Sequence, residues 1–294
     1  MNQPNILKTI LITMRPKQWI KNFAVFAALI FDRQLTRIES LERTLFSFFL
    51  FCLISGAVYI LNDIMDAEAD RNHPIKKNRP IASGQLPVPI AIATVVILLV
   101  ISFSLAYLLS PYFALICLIY ILLNLAYSKW LKHVVILDVF VLATGFVLRV
   151  VAGVTVISVE RFSPWLYIVT TLLSLYLGFG KRRAELTLLA DGAQSHRRVL
   201  QGYTIPFLDQ MIIIVSSTTL ISYSLYTFSA PNLPTNHIMM LTIPFVLYGI
   251  FRYLYLIQVK NSGGAPEELL LKDRPLFSAV ALWGISVLLI FYFF

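Results

Sequence analysis

Apolar runs of about twenty residues, enough to cross ~30 Å of hydrocarbon as a helix, recur from one end of this 294-residue chain to the other. No other feature restricts the fold as tightly. Backbone groups in lipid have to be paired internally, which leaves helices or a closed barrel, and long runs without period-two alternation specify helices. Nine segments qualify, at approximately 18–36, 43–64, 88–109, 111–128, 135–157, 162–180, 206–229, 235–257 and 275–294. The first is the weakest, because Asp32, Arg33 and Arg37 interrupt its far end. Composition agrees: 58% of the residues are hydrophobic and 13% charged, about half the charged fraction that covers a soluble surface. The expectation is an all-α protein of the membrane bilayer, a single domain over residues 1–294. Residues 1–17 form its interfacial N-terminal helix, centred on 5–14. No small-residue cleavage site follows an early apolar run, so no cleavable leader is expected.

Loop charge then orients the spans. Lys8, Arg15, Lys17 and Lys21 precede the first span, and Arg71, Lys76, Lys77 and Arg79 join the second to the third. Lys129 and Lys132, then Lys181, Arg182, Arg183, Arg197 and Arg198, then Lys260, Lys272 and Arg274 fall on the same side. The opposite side holds Arg33, Arg37, Arg43 and Arg161. The positive-inside rule places the N-terminus and the basic loops in the cytoplasm, with the chain in the inner or plasma membrane. The net charge of +9 therefore reflects topology and affinity for anionic lipids or phosphates, and no nucleic-acid partner is implied. Cys52 and Cys117 fall inside spans, lack metal-ligand spacing and read as small packing residues.

Chemistry concentrates in the basic loops. Residues 59–84, YILNDIMDAEADRNHPIKKNRPIASG, leave the second span as a helix. Asp63, Asp66 and Asp70 then lie within a ~60° arc, and Asn62 stands one turn from Asp66. Several oxygens on one helical face suit a hard cation that keeps waters and bridges to phosphate, and carboxylates so placed at a membrane boundary need a cation to offset them. Lys76 and Arg79 follow in a loop shaped by Pro74, Pro80 and Gly84. Acids for a metal beside bases for phosphate make a diphosphate site. The competing structural reading is a solvated acidic cap neutralised by Arg71, Lys76 and Lys77. Arg149 is the second strong signal, an arginine in the middle of the fifth span that shares a face with Asp138. A structural role, pairing with Asp138 or with backbone carbonyls, is the bland alternative to a phosphate ligand. His73, before Pro74, reads as a turn residue, and His196 and His237 as loop residues. Arg252 in the eighth span reads as a snorkelling side chain.

The run Asn62-Asp63-x-x-Asp66-x-x-x-Asp70-Arg71 resembles the first aspartate motif of the UbiA superfamily of intramembrane transferases, and the likeness extends over essentially the whole chain. It implies a nine-transmembrane-helix bundle around a lipid-open cavity, with Mg2+ and a diphosphate at the cytoplasmic end. Typical members carry a second aspartate motif at the end of the sixth span. Here that position reads LGFGKRRAELTLL, residues 177–189, with Glu185 as its one acid. Lys181, Arg182 and Arg183 cannot chelate a second metal but can grip a phosphate directly.

Further blocks resemble the superfamily's phosphoribosyltransferase branch: RPKQWIKN (15–22), DAEADRNHPIKKNRPIASG (66–84), YSKWLKH (127–133), GFVLRVVAGV (145–154), GKRRAEL (180–186) and GGAPEELLLKDR (263–274). That resemblance implies phosphoribosyl diphosphate as donor and a decaprenyl-type polyprenyl phosphate lipid as acceptor. It implies Asp63, Asp66 and Asp70 as catalytic residues and Asn62 with Asp66 as ligands of Mg2+. Lys17, Tyr59, Lys76, Arg79, Lys132 and Arg149 are the implied donor contacts, and Lys132, Lys181 and Arg182 the implied contacts of the lipid phosphate. The alternative within the superfamily moves a prenyl group from a prenyl diphosphate to an aromatic or other acceptor. Such an enzyme is expected to carry the missing second motif. A transporter is expected to show inverted repeats with broken segments, and the sequence has no convincing repeat. Chain length and saturation of the lipid are left open, and so is assembly into a homo-oligomer.

Overall fold

A computed structural model describes residues 5–74, 76–159, 164–190, 198–231, 233–262 and 264–294. Arg161, His196 and Arg197, which entered the reading of the loops, lie outside them. Among the described residues the ordered backbone is helical. The helices are α1 (Ile6–Thr13), α2 (Ala27–Phe31), α3 (Ile38–Met65), α4 (Ala67–Arg71), α5 (Val88–Leu109), α6 (Pro111–Lys129), α7 (Leu137–Val154), α8 (Pro164–Ala190), α9 (Ile205–Ser229), α10 (Ile243–Gln258), α11 (Pro266–Lys272) and α12 (Arg274–Phe293). Seven segments among the described residues are long and apolar enough to cross a membrane: α3, α5, α6, α7, α9, Ile238–Gln258 and α12. Each coincides with an expected span. The remaining two expected spans are helical but do not meet that standard. The first is 3-10 helix over Pro16–Phe26 followed by the five residues of α2. The polar Gln18, Lys21 and Asn22 dilute its apolar character, and Asn22 is buried with hydrogen-bond partners. The sixth is α8, whose Lys181, Arg182 and Arg183 fall inside the helix instead of after it.

Two compact units divide the chain, one formed by Met1–Lys129 with Leu148–Val159, the other by Trp130–Val147 with Glu160–Phe294. In the first unit Leu29, Leu50, Phe51, Ile54, Phe113 and Cys117 lead one apolar cluster, and Met14, Ile60, Ile81 and Leu86 another. Gly153 is fixed by packing here: a Cβ on it would stand 1.9 Å from the backbone oxygen of Val25. Arg43 donates to the carbonyls of Val156 and Leu109 at 2.6 and 2.8 Å, satisfying groups that the ends of helices leave open. In the second unit the core gathers Val139, Tyr176, Phe179, Leu200, Leu208, Ile212 and Ile257. Asn5 caps α1 by accepting from the N–H groups of Leu7 and Lys8, so the short N-terminal helix expected around residues 5–14 forms.

The aspartate stretch departs from expectation in one respect. The helix does not continue unbroken to Asp70: α3 ends at Met65, Asp66 sits at the joint with φ −92° and ψ 0°, and α4 restarts at Ala67. Backbone bonds from Asp66 N–H to Asn62 O (2.9 Å) and from Asp70 N–H to Asp66 O (2.8 Å) bridge the joint. Its physical reason lies in the side chains. Asp63 and Asp70 are both drawn onto one guanidinium, and the backbone between them adjusts.

Candidate active site

In the first unit, Asp63 and Asp70 are buried, each about 3% exposed, and arginines take up their charge. Arg79 Nη1 donates to Asp70 Oδ2 at 2.6 Å and to Asp63 Oδ1 at 3.2 Å. Arg15 Nη2 donates to the same oxygen of Asp63, and its guanidinium lies 5.1 Å from the centre of the Tyr59 ring. Arg15 has a left-handed backbone, φ 54°, which turns the chain from α1 into the 3-10 helix and brings the side chain back over α3. Asp66, half-buried, stands at the joint between α3 and α4. Asn62 Oδ1, one turn earlier, accepts from the Ser128 hydroxyl at 2.7 Å. The four motif residues therefore divide. Two carboxylates serve arginines, while the amide oxygen of Asn62 and the carboxylate of Asp66 share the helix end.

That division bears on the metal. Among the described residues no three His, Cys, Asp or Glu side chains gather into a cage. Asn62 and Asp66 nevertheless fit Mg2+, which uses oxygen ligands and takes only one or two from the protein, leaving the rest to water and substrate phosphates. Ser128 orients the Asn62 oxygen and leaves it a second lone pair.

Arg149 lies on the part of α7 that belongs to the first unit. It is 5% exposed, and its Nε donates to Asn22 Oδ1 at 2.8 Å while Nη2 donates to Tyr120 Oη at 2.9 Å. Its guanidinium lies 4.9 Å from the Tyr120 ring centre and 5.6 Å from that of Phe51. Asn22 in turn donates to Ser55 Oγ (3.1 Å) and Cys52 Sγ (3.2 Å). An amide oxygen, a phenol oxygen and two ring faces thus seat a planar, always ionised cation. Tyr59 is half-buried beneath Arg15, whereas Lys17 and Lys76 are exposed. His73 is the turn residue expected, its Nδ1 accepting from Lys76 N–H at 3.2 Å.

In the second unit, Asp138 is fully buried and belongs to Arg182. Arg182 Nε donates to Asp138 Oδ2 at 2.5 Å and Nη1 to Glu185 Oε2 at 2.7 Å. Arg182 has no exposed surface. A guanidinium with the buried Asp138 at one edge and the partly exposed Glu185 at the other ties α7 to α8. Glu185, the one acid of the 177–189 stretch, accepts the Nη1 bond from the next helical turn. Lys181 and Lys132 are both half-buried. Arg183 donates to Asp209 Oδ1 (2.6 Å) and the Ile257 carbonyl (2.7 Å). Arg252 pairs two-pronged with Asp273 at 3.0 and 2.8 Å. The guanidinium beside it holds the Asp273 carboxyl below the usual carboxylate range, with help from the Leu276 N–H and against partial burial.

Arg15 entered the sequence reading as a loop charge, and Asn22 and Ser128 inside motif blocks, none with a role at the site. Tyr203, which donates to Asp138 Oδ1 at 2.6 Å, left no signal there.

Residues 23–272 match the UbiA prenyltransferase family. The decaprenyl-phosphate phosphoribosyltransferase of Corynebacterium glutamicum is 33% identical, the alignment covering 98% of this chain and 88% of the relative. Its counterpart in Mycobacterium tuberculosis strain H37Rv is 31% identical over 96% of this chain and 94% of the relative. Among solved structures, a UbiA homolog from Archaeoglobus fulgidus bound to DMAPP and Mg2+ superposes with a TM-score of 0.72 at 18% identity, covering 97% of this chain and all of that one. The fold likeness thus extends far beyond the reach of sequence identity.

Proposed function

The chain belongs to the UbiA prenyltransferase family, and from that premise we propose that it transfers the 5-phosphoribosyl group of phosphoribosyl diphosphate to a decaprenyl-type polyprenyl phosphate, releasing diphosphate. One observation carries the reading beyond family membership: near-full-length similarity to decaprenyl-phosphate phosphoribosyltransferases coincides with a cationic 181–183 run where a prenyl transferase of the family is expected to chelate a second metal. The reading places nine helices across the inner or plasma membrane, with the N-terminus and the site on the cytoplasmic side.

The residues divide the work as follows. Asn62 and Asp66 would hold Mg2+, which when bound neutralises diphosphate oxygens as charge accumulates on the leaving group. Asp63 and Asp70 act through Arg15 and Arg79, fixing two guanidinium groups where the donor's phosphates arrive. Tyr59, under Arg15, and the exposed Lys17 and Lys76 complete the donor contacts. Arg149 supplies a fixed positive field from its nest of Asn22, Tyr120 and two ring faces. Lys132 and Lys181 hold the lipid phosphate. That phosphate attacks C1 of the ribose as the C1–O bond to diphosphate breaks, through an oxocarbenium-like transition state and with inversion. The nucleophile is already ionised at neutral pH, so no general base is needed, and the histidines form no nucleophile–base pair in the sequence.

Purified protein incubated with Mg2+, phosphoribosyl diphosphate labelled in the ribose and polyprenyl phosphate is expected to carry label into the organic phase. Asp66→Ala should abolish that product while leaving the folded protein intact. Undiminished turnover in Asp66→Ala would remove the metal site from the reading.

A further inference from the structure

In the second unit, the loop from Trp130 to Ile136 carries Lys132 on a single 3-10 turn, closed by bonds from His133 N–H to Trp130 O (3.1 Å) and Val134 N–H to Leu131 O (3.2 Å). It ends on Ile136, whose φ is 70°. A β-branched side chain in the left-handed region is strained, and such a residue persists only where its surroundings over-determine it. Its surroundings here are specific. Ile136 N–H donates to Tyr203 Oη at 2.6 Å, and the same hydroxyl donates to Asp138 Oδ1 at 2.6 Å. The other oxygen of Asp138 is fixed by Arg182 at 2.5 Å. Ile136 O meanwhile accepts from Val139 N–H (3.0 Å) and Phe140 N–H (3.1 Å), so the strained residue also starts α7. Close packing adds an independent constraint: a Cβ on Gly202, the residue before Tyr203, would stand 2.4 Å from Val135 Cγ2. The Tyr203 phenol is 4% exposed, and burial together with the bond to Asp138 raises its pKa, so it stays a donor.

We propose that Tyr203 is a positioning residue for the lipid-phosphate contact: through Ile136 it locks the 130–136 loop and so presets Lys132. The inference rests on the assignment of Lys132 to that phosphate. One hydroxyl reads a buried acid on one side and the strained backbone of the loop on the other. Loss of the hydroxyl therefore frees the loop while leaving Lys132 itself in place. Preset ligands spare the ordering cost that a floppy loop would add to binding, and the effect belongs in the KM for the lipid.

The test compares Tyr203→Phe, Lys132→Ala, their combination, and Tyr203→Phe/Ile136→Gly in the transfer assay, with thermal unfolding in parallel. Tyr203→Phe is expected to raise KM for polyprenyl phosphate about tenfold, equivalent to ~1.4 kcal/mol, with a smaller change in kcat. It should add nothing in the Lys132→Ala background. Ile136→Gly should bring KM back toward native in the Tyr203→Phe chain, because glycine adopts the left-handed conformation without strain. A residue of purely structural importance would lower Tm and the active fraction without moving KM, and that result overturns the proposal. A raised KM in Lys132→Ala with a native KM in Tyr203→Phe also overturns it, leaving the role of Lys132 intact. A native KM in Lys132→Ala overturns the assignment of Lys132 and the positioning role with it. Should Tyr203→Phe not accumulate as folded protein, the double variant with Ile136→Gly is measured in its place: a native KM supports the lock, and a raised KM refutes it.

Discussion

Replacing Arg79 with alanine isolates the energetic role of the aspartate stretch. Its Nη1 group serves Asp70 at 2.6 Å and Asp63 at 3.2 Å. Removing it strands Asp70, whose side chain is 4% exposed, whereas Asp63 retains Arg15. Hydrogen bonds to charged groups contribute about 1.5–3 kcal/mol each, and breaking a fully buried ion pair costs about 3–5 kcal/mol. The Arg79 side chain is itself 28% exposed, so water reaches the gap and reduces the loss. A destabilisation of about 2–3 kcal/mol is expected for Arg79→Ala. The coupling between Arg79→Ala and Asp70→Asn should be about 1–2 kcal/mol, since each single change already removes the shared bond. Denaturant unfolding of the purified protein in detergent micelles reads all four corners of that cycle. In the transfer assay, Arg79→Lys should retain much of the stability and still raise the donor KM, because an ammonium cannot serve two acids and a phosphate with fixed geometry. Additive effects, with coupling under about 0.3 kcal/mol, would refute the claim that Asp70 acts by holding Arg79.

Arg182→Met alone should lose about 3–5 kcal/mol by leaving the buried Asp138 unmatched, Asp138→Leu should lose less because Arg182 keeps Glu185, and the double change should recover part of the larger loss; thermal unfolding of the three variants checks the pattern. Gly153→Ala should lose about 3 kcal/mol or more, because the new methyl meets the Val25 carbonyl and a backbone atom yields little; the readout is the yield and Tm of folded protein. Asp273 has a depressed folded pKa, so its contribution is fully present above the unfolded value of about 4 and is lost as pH falls through the folded value. Asp273→Asn should therefore flatten the acid limb of stability against pH and change nothing in the slope near neutrality, as measured by unfolding at stepped pH.

Helix positions were legible because each long span is set by its own local hydropathy, a property no neighbour has to supply. That is why α3, α5, α6 and α12 fall within a few residues of their expected ends. The first span was harder, because its 3-10 geometry answers to the burial of Asn22 beside Cys52 and Ser55, partners thirty or more residues away. Asp63 and Asp70 could be placed on one face by helical arithmetic. Their guanidinium partners could not, since the backbone turn at Arg15 and the fold of the 76–79 loop decide them. Arg182 shows the limit most plainly. A run of Lys181, Arg182 and Arg183 looks uniform in sequence, yet a single residue step, about 100° around the helix, separates a half-buried lysine from an arginine sealed against Asp138. Tyr203 was invisible because nothing in a lone loop tyrosine announces a hydrogen bond across 65 residues.

Which donor gives up diphosphate is the most direct question to put to the protein. Diphosphate released into solution can be followed continuously while phosphoribosyl diphosphate or a prenyl diphosphate is offered, each with and without polyprenyl phosphate, and the latter also with an aromatic acceptor. Release from phosphoribosyl diphosphate only when the lipid phosphate is present, one diphosphate for each phosphoribosyl lipid formed, is the result expected. Release from the prenyl diphosphate, indifferent to polyprenyl phosphate, would contradict it.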